Sequence, residues 1–346
     1  MKFMETITIS QIAELAGVSK TTVSRVLNKK PDVSAKTRER IEALIKQYDF
    51  SPNAFASAIL TKKSNTIALV IPYDENYVLF NPYYTDMIRG VSNEIKKRGY
   101  YLLLVYSKST DYLPAIRQKR VDGIIMLSPG SIHRKMIEEI LGLDVPFVSA
   151  ARTPSFTNIH SVVTNDFKGA QLAIEHLVSL GHRRIAFING PSILASSTER
   201  FRGYQDVLEK YGIPYDTSIV VNGDTSIESG YKTAKKFLED NSISALFTGS
   251  DLMAIGAISA MNDLGKSVPG DVSVVGFDDM PFSAYMNPPL TTIRQHSFKK
   301  GLLAARMLLD IIEGKDTKQR IEMPVELVVR NSTREYLGKP AKKPPK

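Results

Sequence analysis

Short, nearly uninterrupted apolar runs recur along most of this chain, and they restrict its folding more than any other feature. They are TIALVIP (66–72), YYLLLVY (100–106), DGIIML (122–127), PFVSAA (146–151), RIAFIN (184–189), SALFTG (244–249) and VSVVGF (272–277). A strand covered on one face alternates apolar and polar residues; these runs do not, so both faces must be covered. Stretches of helical pattern separate most of them, among them Pro82 to Arg98, Lys168 to Leu180 and Ser226 to Asn241. The alternation predicts an α/β fold of parallel sheets flanked by helices. Seven strands over so long a span predict two lobes rather than one sheet.

The same segments exclude several chemistries. No strand–helix junction carries G-x-G-x-x-G or a phosphate-binding loop of the P-loop type. His133, His160, His176, His182 and His296 are scattered without metal-ligand spacing, and no Ser–His–Asp grouping can be read. There is no cysteine, which removes disulfides and thiolate metal sites and fits a reducing compartment. No apolar run approaches ~20 residues, and MKFMETITISQ lacks a signal-peptide core. The expectation is a cytoplasmic chain that is not an enzyme, with no cofactor, no metal and no membrane partner.

Charge is unevenly placed. Residues 1–64 hold eleven Lys/Arg against six Asp/Glu, and the tail 339–346 (KPAKKPPK) has four lysines and no acid. The remaining residues are balanced, thirty against thirty, so the whole excess of +9 lies in the ends. An N-terminal unit that meets a polyanion would have this distribution.

In that unit Ile9, Ile12, Ala13 and Ala16 follow helical spacing behind Thr8 as a cap, and Gly17 ends the helix. Ser19 can cap a second helix. A third, begun near Ser34, repeats the spacing with Ile41, Leu44, Ile45 and Tyr48. Helix, glycine turn, helix and supporting helix form a helix-turn-helix pattern. The second helix, within VSKTTVSRVLN (18–28), is rich in residues of low helix propensity, so packing must hold it. With Lys20 at zero and ~100° per residue, Ser24, Asn28, Thr21 and Arg25 fall within ~140°, and Thr22, Val26, Val23 and Leu27 occupy the opposite side. One face can dock inward. The other is acid-free, with short hydroxyls suited to phosphates and longer cations suited to base edges.

TISQIAELAGVSKTTVSRVLNKK resembles the N-terminal domain of the lactose-repressor (LacI/GalR) family of transcriptional regulators, whose pattern is hydrophobic-x-x-A-x-x-A-G-V-S-x-x-T-V-S-R-hydrophobic-hydrophobic-N. The resemblance implies that Lys20, Thr21 and Arg25 read bases in the major groove while Ser10, Ser19, Ser24 and Asn28 hold the backbone. It also implies a dimer on a near-palindromic operator, one unit to each half-site. Residues 1–50 would be this DNA-binding domain and 51–64 a hinge helix and linker. Ser51-Pro52 breaks the third helix and Asn53 can cap a short one. In the family that helix pairs with its dimer mate and wedges a leucine into the minor groove. Ile59 stands at the leucine position, Leu60 where Lys or Arg is usual, and Ser57 in place of a common arginine. The segment is expected to order only on operator DNA.

Nearly all of 66–335 resembles the periplasmic-binding-protein-like core of the same family, through LGHRRIAFINGP (180–191), ERFRGY (199–204), GDTSIESGY (223–231), TGSDLMAIGA (248–257), VPGDVSVVGFDD (268–279) and PPLTTIRQ (288–295). The resemblance implies a two-lobed effector-binding and dimerisation domain over 65–338, lobe one about 65–160 and 292–324, lobe two about 161–291 and 325–338, with VELVVR (325–330) as the last strand. One departure is a shortened segment, Asp111 to Lys119, expected to be broken by Pro114.

Ligands of such sheets sit beyond the carboxyl ends of the strands. Asp251 and Asp278 follow two strands of the second lobe, Arg200 follows FINGP, and Tyr83 follows the first strand of the other lobe. Carboxylates and a guanidinium suit sugar hydroxyls, and a tyrosine ring can cover a pyranose. The family carries effector contacts at the positions of Arg200, Asp251 and Asp278, and its first-lobe aromatic matches Tyr83; Ser196 joins them as an expected contact. Leu194 replaces the arginine of purine-binding members and Thr225 a stacking aromatic of others, which speaks against a purine.

The reading is a DNA-binding repressor, a homodimer or tetramer, controlled by a small carbohydrate-type effector, a sugar or sugar phosphate, between its lobes. The body alone also permits a solute-binding protein without DNA function, against which the intact helix-turn-helix and the missing export signal stand. An enzyme on the same scaffold has no catalytic constellation to support it.

Overall fold

A computed structural model of the chain describes residues 7–27, 30–50, 63–106, 113–127, 134–156, 158–239 and 243–338. Asn28, Ile59 and Leu60 of the expected hinge helix, and the tail 339–346 lie outside the described residues. The chain divides into two compact units, Met1–Ser64 and Asn65–Lys346.

The first unit has helices α1 (Ile9–Leu15), α2 (Lys20–Leu27) and α3 (Ala35–Gln47). Thr8 and Gln11 form a reciprocal cap at the start of α1, each side chain bonding the other's backbone N–H. Gly17 takes a positive φ of 58°, which lets the chain turn sharply into α2. Ser34 caps α3 through the N–H of Thr37. Ile12, Ala13, Ala16, Val23, Val26 and Ile41 are buried together, one stripe from each helix.

The second unit holds two six-stranded sheets. Its strands are β1 (Thr66–Ile71), β2 (Tyr101–Tyr106), β3 (Gly123–Met126), β4 (Phe147–Ser149), β5 (His160–Thr164), β6 (Ile185–Asn189), β7 (Val220–Asn222), β8 (Ala245–Thr248), β9 (Ser273–Asp278), β10 (Thr291–Arg294), β11 (Arg320–Met323) and β12 (Glu326–Val328). Sheet one runs β11-β5-β4-β3-β1-β2, and sheet two β12-β10-β9-β8-β6-β7. Every adjacent pair is parallel except β10–β12. The helices are α4 (Glu75–Phe80), α5 (Pro82–Lys97), α6 (Leu113–Arg117), α7 (Arg134–Leu141), α8 (Asp166–Ser179), α9 (Ala195–Lys210), α10 (Ile227–Glu239), α11 (Asp251–Asp263) and α12 (Ser297–Ile312).

The apolar runs explain the layering. In β1, Ile67, Leu69 and Ile71 join one core while Ala68 and Val70 join the core on the opposite face. In β6, Ala186 and Ile188 divide in the same way from Ile185 and Phe187. The centre of each sheet is therefore buried on both sides, while the edge strands β2 and β7 stay partly exposed.

Two expectations are corrected. His160–Thr164 pairs with β4 in sheet one, and Thr291–Arg294 pairs with β9 in sheet two, so the lobe boundaries expected at 160/161 and 291/292 each move by a few residues. The chain crosses between lobes after Thr164, Arg294 and Met323. Pro114 does not break its segment but sits in the first turn of α6, where a missing N–H forfeits no helical bond. Among the described residues no helix is long and apolar enough to cross a membrane.

Candidate functional site

The outer face of α2 is built by its inner one. Val23 and Val26 are buried against α1 and α3, which turns Lys20, Thr21 and Arg25 outward, all exposed. Ser19 is held at the helix start by its own cap: its hydroxyl oxygen accepts from the N–H of Thr22 at 3.2 Å. Ser24 and, on α1, Ser10 are partly exposed. The face acquires one acid that helical periodicity did not reveal. Asp32, from the loop before α3, pairs with Arg25 at 3.4 Å, both side chains about half exposed. Such a pair is worth only ~0–1 kcal/mol, little against a phosphate or base edge.

In the second unit the carboxyl ends of the two sheets face a void of about 710 Å³, its open mouth included. Arg200 on α9 is buried there. Its Nε and Nη2 donate to Asp166 at 2.9 and 2.8 Å, Nη1 donates to the Gly249 carbonyl at 2.5 Å, and the guanidinium lies 3.7 Å from the Phe277 ring centre. Three of its five N–H bonds are so used, which fixes the plane of the group and leaves two for a ligand.

Asp278 ends β9 with φ 126°, followed by Asp279 at 56°, both uncommon for residues with a side chain. Arg294 and Arg330 clamp Asp279, each at 2.6 Å, and so hold the turn. The Asp278 carboxylate accepts from Gln295, whose own oxygen accepts from the Thr164 hydroxyl at 3.2 Å. Burial, with the Asp251 carboxylate nearby, pushes the pKa of Asp278 well above the carboxylate range, against the pull of Arg200 and Gln295.

Tyr83 and Ser196 also line the void, Tyr83 packed edge-on against Tyr84 at 5.1 Å. Tyr77 on α4 reaches across to the hydroxyl of Thr225, joining the two lobes beside the void.

Asp251 requires correction. It is fully buried behind the rim rather than lining the void. One oxygen accepts from the Met280 N–H at 2.9 Å and the Ser283 hydroxyl at 2.6 Å; the other accepts from the Thr292 hydroxyl at 2.5 Å. It ties the 279–283 segment and β10 to α11. The neighbouring Ser250, one residue earlier, is the one that lines the void.

Residues 8–53 match the family of bacterial regulatory proteins, lacI family, and residues 174–333 match a periplasmic binding protein-like domain. The regulator DegA of Bacillus subtilis (strain 168) is 35% identical over 334 residues, covering 94% of this chain and 98% of that protein.

The chain belongs to the LacI family.

Its fold is that of solved LacI-family proteins. A lac repressor dimer bound to operator and the anti-inducer ONPF superposes with a TM-score of 0.85 at 30% identity, covering 95% of this chain and 100% of that one. A complex of the regulator CelR with cellobiose gives 0.74 at 31% identity, covering 94% and 99%. This LacI-family chain is thus a DNA-binding transcriptional regulator, and the relatives it matches are regulators rather than enzymes.

Sequence reasoning passed over Asp166, Gln295, Ser250, Tyr77, Arg152 and Lys300, all placed at the void. Gln295 ends the family motif PPLTTIRQ (288–295). Lys300 had a further signal, since it shares the face of Ala304 and Leu308 on α12, an odd place for a lysine.

Proposed function

We propose that the chain is a homodimeric transcriptional repressor whose α2 reads half-sites of a near-palindromic operator, and whose operator affinity is set by a small hydroxylated effector between the lobes. The observation that carries this reading is the outer face of α2, where Lys20, Thr21 and Arg25 stand exposed on a helix secured by Val23 and Val26. Ser10, Ser19 and Ser24 take backbone contacts beside them. In the cleft, Arg200, Asp278, Tyr83 and Ser196 supply donors, acceptors and a ring for an oxygen-rich ligand. The family relatives support the assignment: the lac repressor complex is a dimer on its operator, and CelR holds cellobiose.

Ligand control then follows from linkage. An effector that binds one lobe arrangement better than another shifts the population and with it the DNA-competent state, typically by ~1–3 kcal/mol of coupling. Gel shift of the full chain beside residues 65–346, which form their own compact unit, tests the DNA function. Operator retardation by the full chain only is the expected result. Equal retardation by both would place DNA binding outside α2, and retardation by neither would favour a solute-binding protein.

A further inference from the structure

Lys300 is 4% exposed and lines the effector cleft. Its Nζ lies 3.3 Å from the Tyr83 hydroxyl and 5.9 Å from the centre of that ring. Among the described residues no carboxylate pairs with it. A buried cation lacking a counter-charge is costly, and one neutral hydroxyl does not offset the loss of water. Nothing in the architecture demands the charge, because the other buried residues of α12 are all apolar.

Arg152, beyond β4, presents a second unmet donor in the same void. Its Nη2 is held by Glu322 at 3.2 Å, but its Nε is buried with no hydrogen-bond partner. Nor do the cleft's own acids fill the deficit. Asp166 is taken up by Arg200, and Asp278 accepts from Gln295. Two cationic side chains lining the void therefore lack a full set of acceptors.

We infer that the effector carries an anionic group, a carboxylate or a phosphate, and that Lys300 pairs with it. Arg152 offers a further donor, while Arg200, Asp278 and Tyr83 take the hydroxylated remainder. The inference rests on the cleft being an effector site, and it narrows the ligand to an acidic sugar or a sugar phosphate. Neutral mono- and disaccharides would leave the lysine unpaired, which counts against them.

Calorimetric titration and thermal shift of the full chain test this with D-glucose and D-galactose, their uronic acids, their 6-phosphates, and inorganic phosphate alone. One acidic sugar is expected to bind at least about ten-fold more tightly than its neutral parent, the size of one charge-assisted contact in a dry site. Uronates and phosphates, as separate arms, decide which anion is used. Lys300→Met should abolish the preference and Lys300→Arg should keep part of it, with far-ultraviolet dichroism and operator affinity checking that both variants fold. Equal binding of acid and neutral parent, or a preference unchanged in Lys300→Met, overturns the inference and leaves the effector-site reading standing. Binding of inorganic phosphate alone marks an adventitious ion only and overturns it too. If no compound binds or alters operator affinity, the effector-site reading fails with it.

Discussion

A single side chain can be exposed for a purpose or buried for one, and the residues here divide along that line. Arg25 is tethered to Asp32 only by a half-exposed ion pair, so it can turn to DNA at small cost. Arg25→Ala is expected to weaken specific operator binding by ~1–3 kcal/mol while binding to random DNA falls much less, as titrations on the two duplexes would read. Equal losses would reduce Arg25 to a phosphate contact. Arg200 is the opposite case. Removing it strands Asp166 in a buried site, so Arg200→Ala should destabilise the protein by about 3–5 kcal/mol in denaturant melts, beyond any loss of effector binding. Asp251 adds a pH signature. Its burial raises its pKa to about 6, so the folded chain holds that proton more tightly than the unfolded one. Its contribution to stability is full below the unfolded value and fades as pH rises through about 6. The cost of Asp251→Asn should therefore be larger at pH 5 than at pH 8, by about 1 kcal/mol. A cost that grows with pH would contradict the assignment.

At the level of elements, what matters is how closely pieces approach. Helices α5 and α12 cross at two glycines: a Cβ on Gly90 would lie 2.1 Å from the Phe298 carbonyl oxygen, and one on Gly301 2.2 Å from that of Met87. The crossing fixes where Tyr83 and Lys300, one on each helix, meet at the cleft. Gly301→Ala should cost about 1–3 kcal/mol in thermal or chemical unfolding, because backbone rather than a flexible side chain must yield. It should also weaken effector binding by displacing Lys300. Full stability of the variant would mean that the helices slide freely.

For the whole molecule, the three crossings after Thr164, Arg294 and Met323 connect the lobes covalently, and the Tyr77–Thr225 hydrogen bond joins them across the cleft. Gln295, just past the second crossing, joins Thr164 of one lobe to Asp278 of the other, so the crossings and the site share a hydrogen-bond path. If the effector binds the arrangement in which that Tyr77–Thr225 bond is made, Tyr77→Phe removes about 0.5–1.5 kcal/mol from that arrangement. Effector affinity measured by titration should then fall about two- to ten-fold. Unchanged affinity would show that this bond is not coupled to binding.

Local sequence pattern was enough for the layering and the helix-turn-helix face. Both depend on local periodicity: apolar runs too continuous for one-sided strands, and a helix whose polar and apolar residues separate completely. It missed β5, β7, β10 and β11, which are short and edge-like or less apolar, and it put two lobe boundaries a few residues away from the crossings. The site was legible where a charged residue follows a strong strand, as with Asp278, but not at Asp251. Strand ends place both carboxylates near the rim, and only packing decides which one faces the void and which turns inward to bind Met280, Ser283 and Thr292. Asp32 beside Arg25 and Lys300 beside Tyr83 are likewise meetings of separate elements. Burial and charge pairing are properties of three-dimensional neighbourhoods, so the tertiary structure alone settled them.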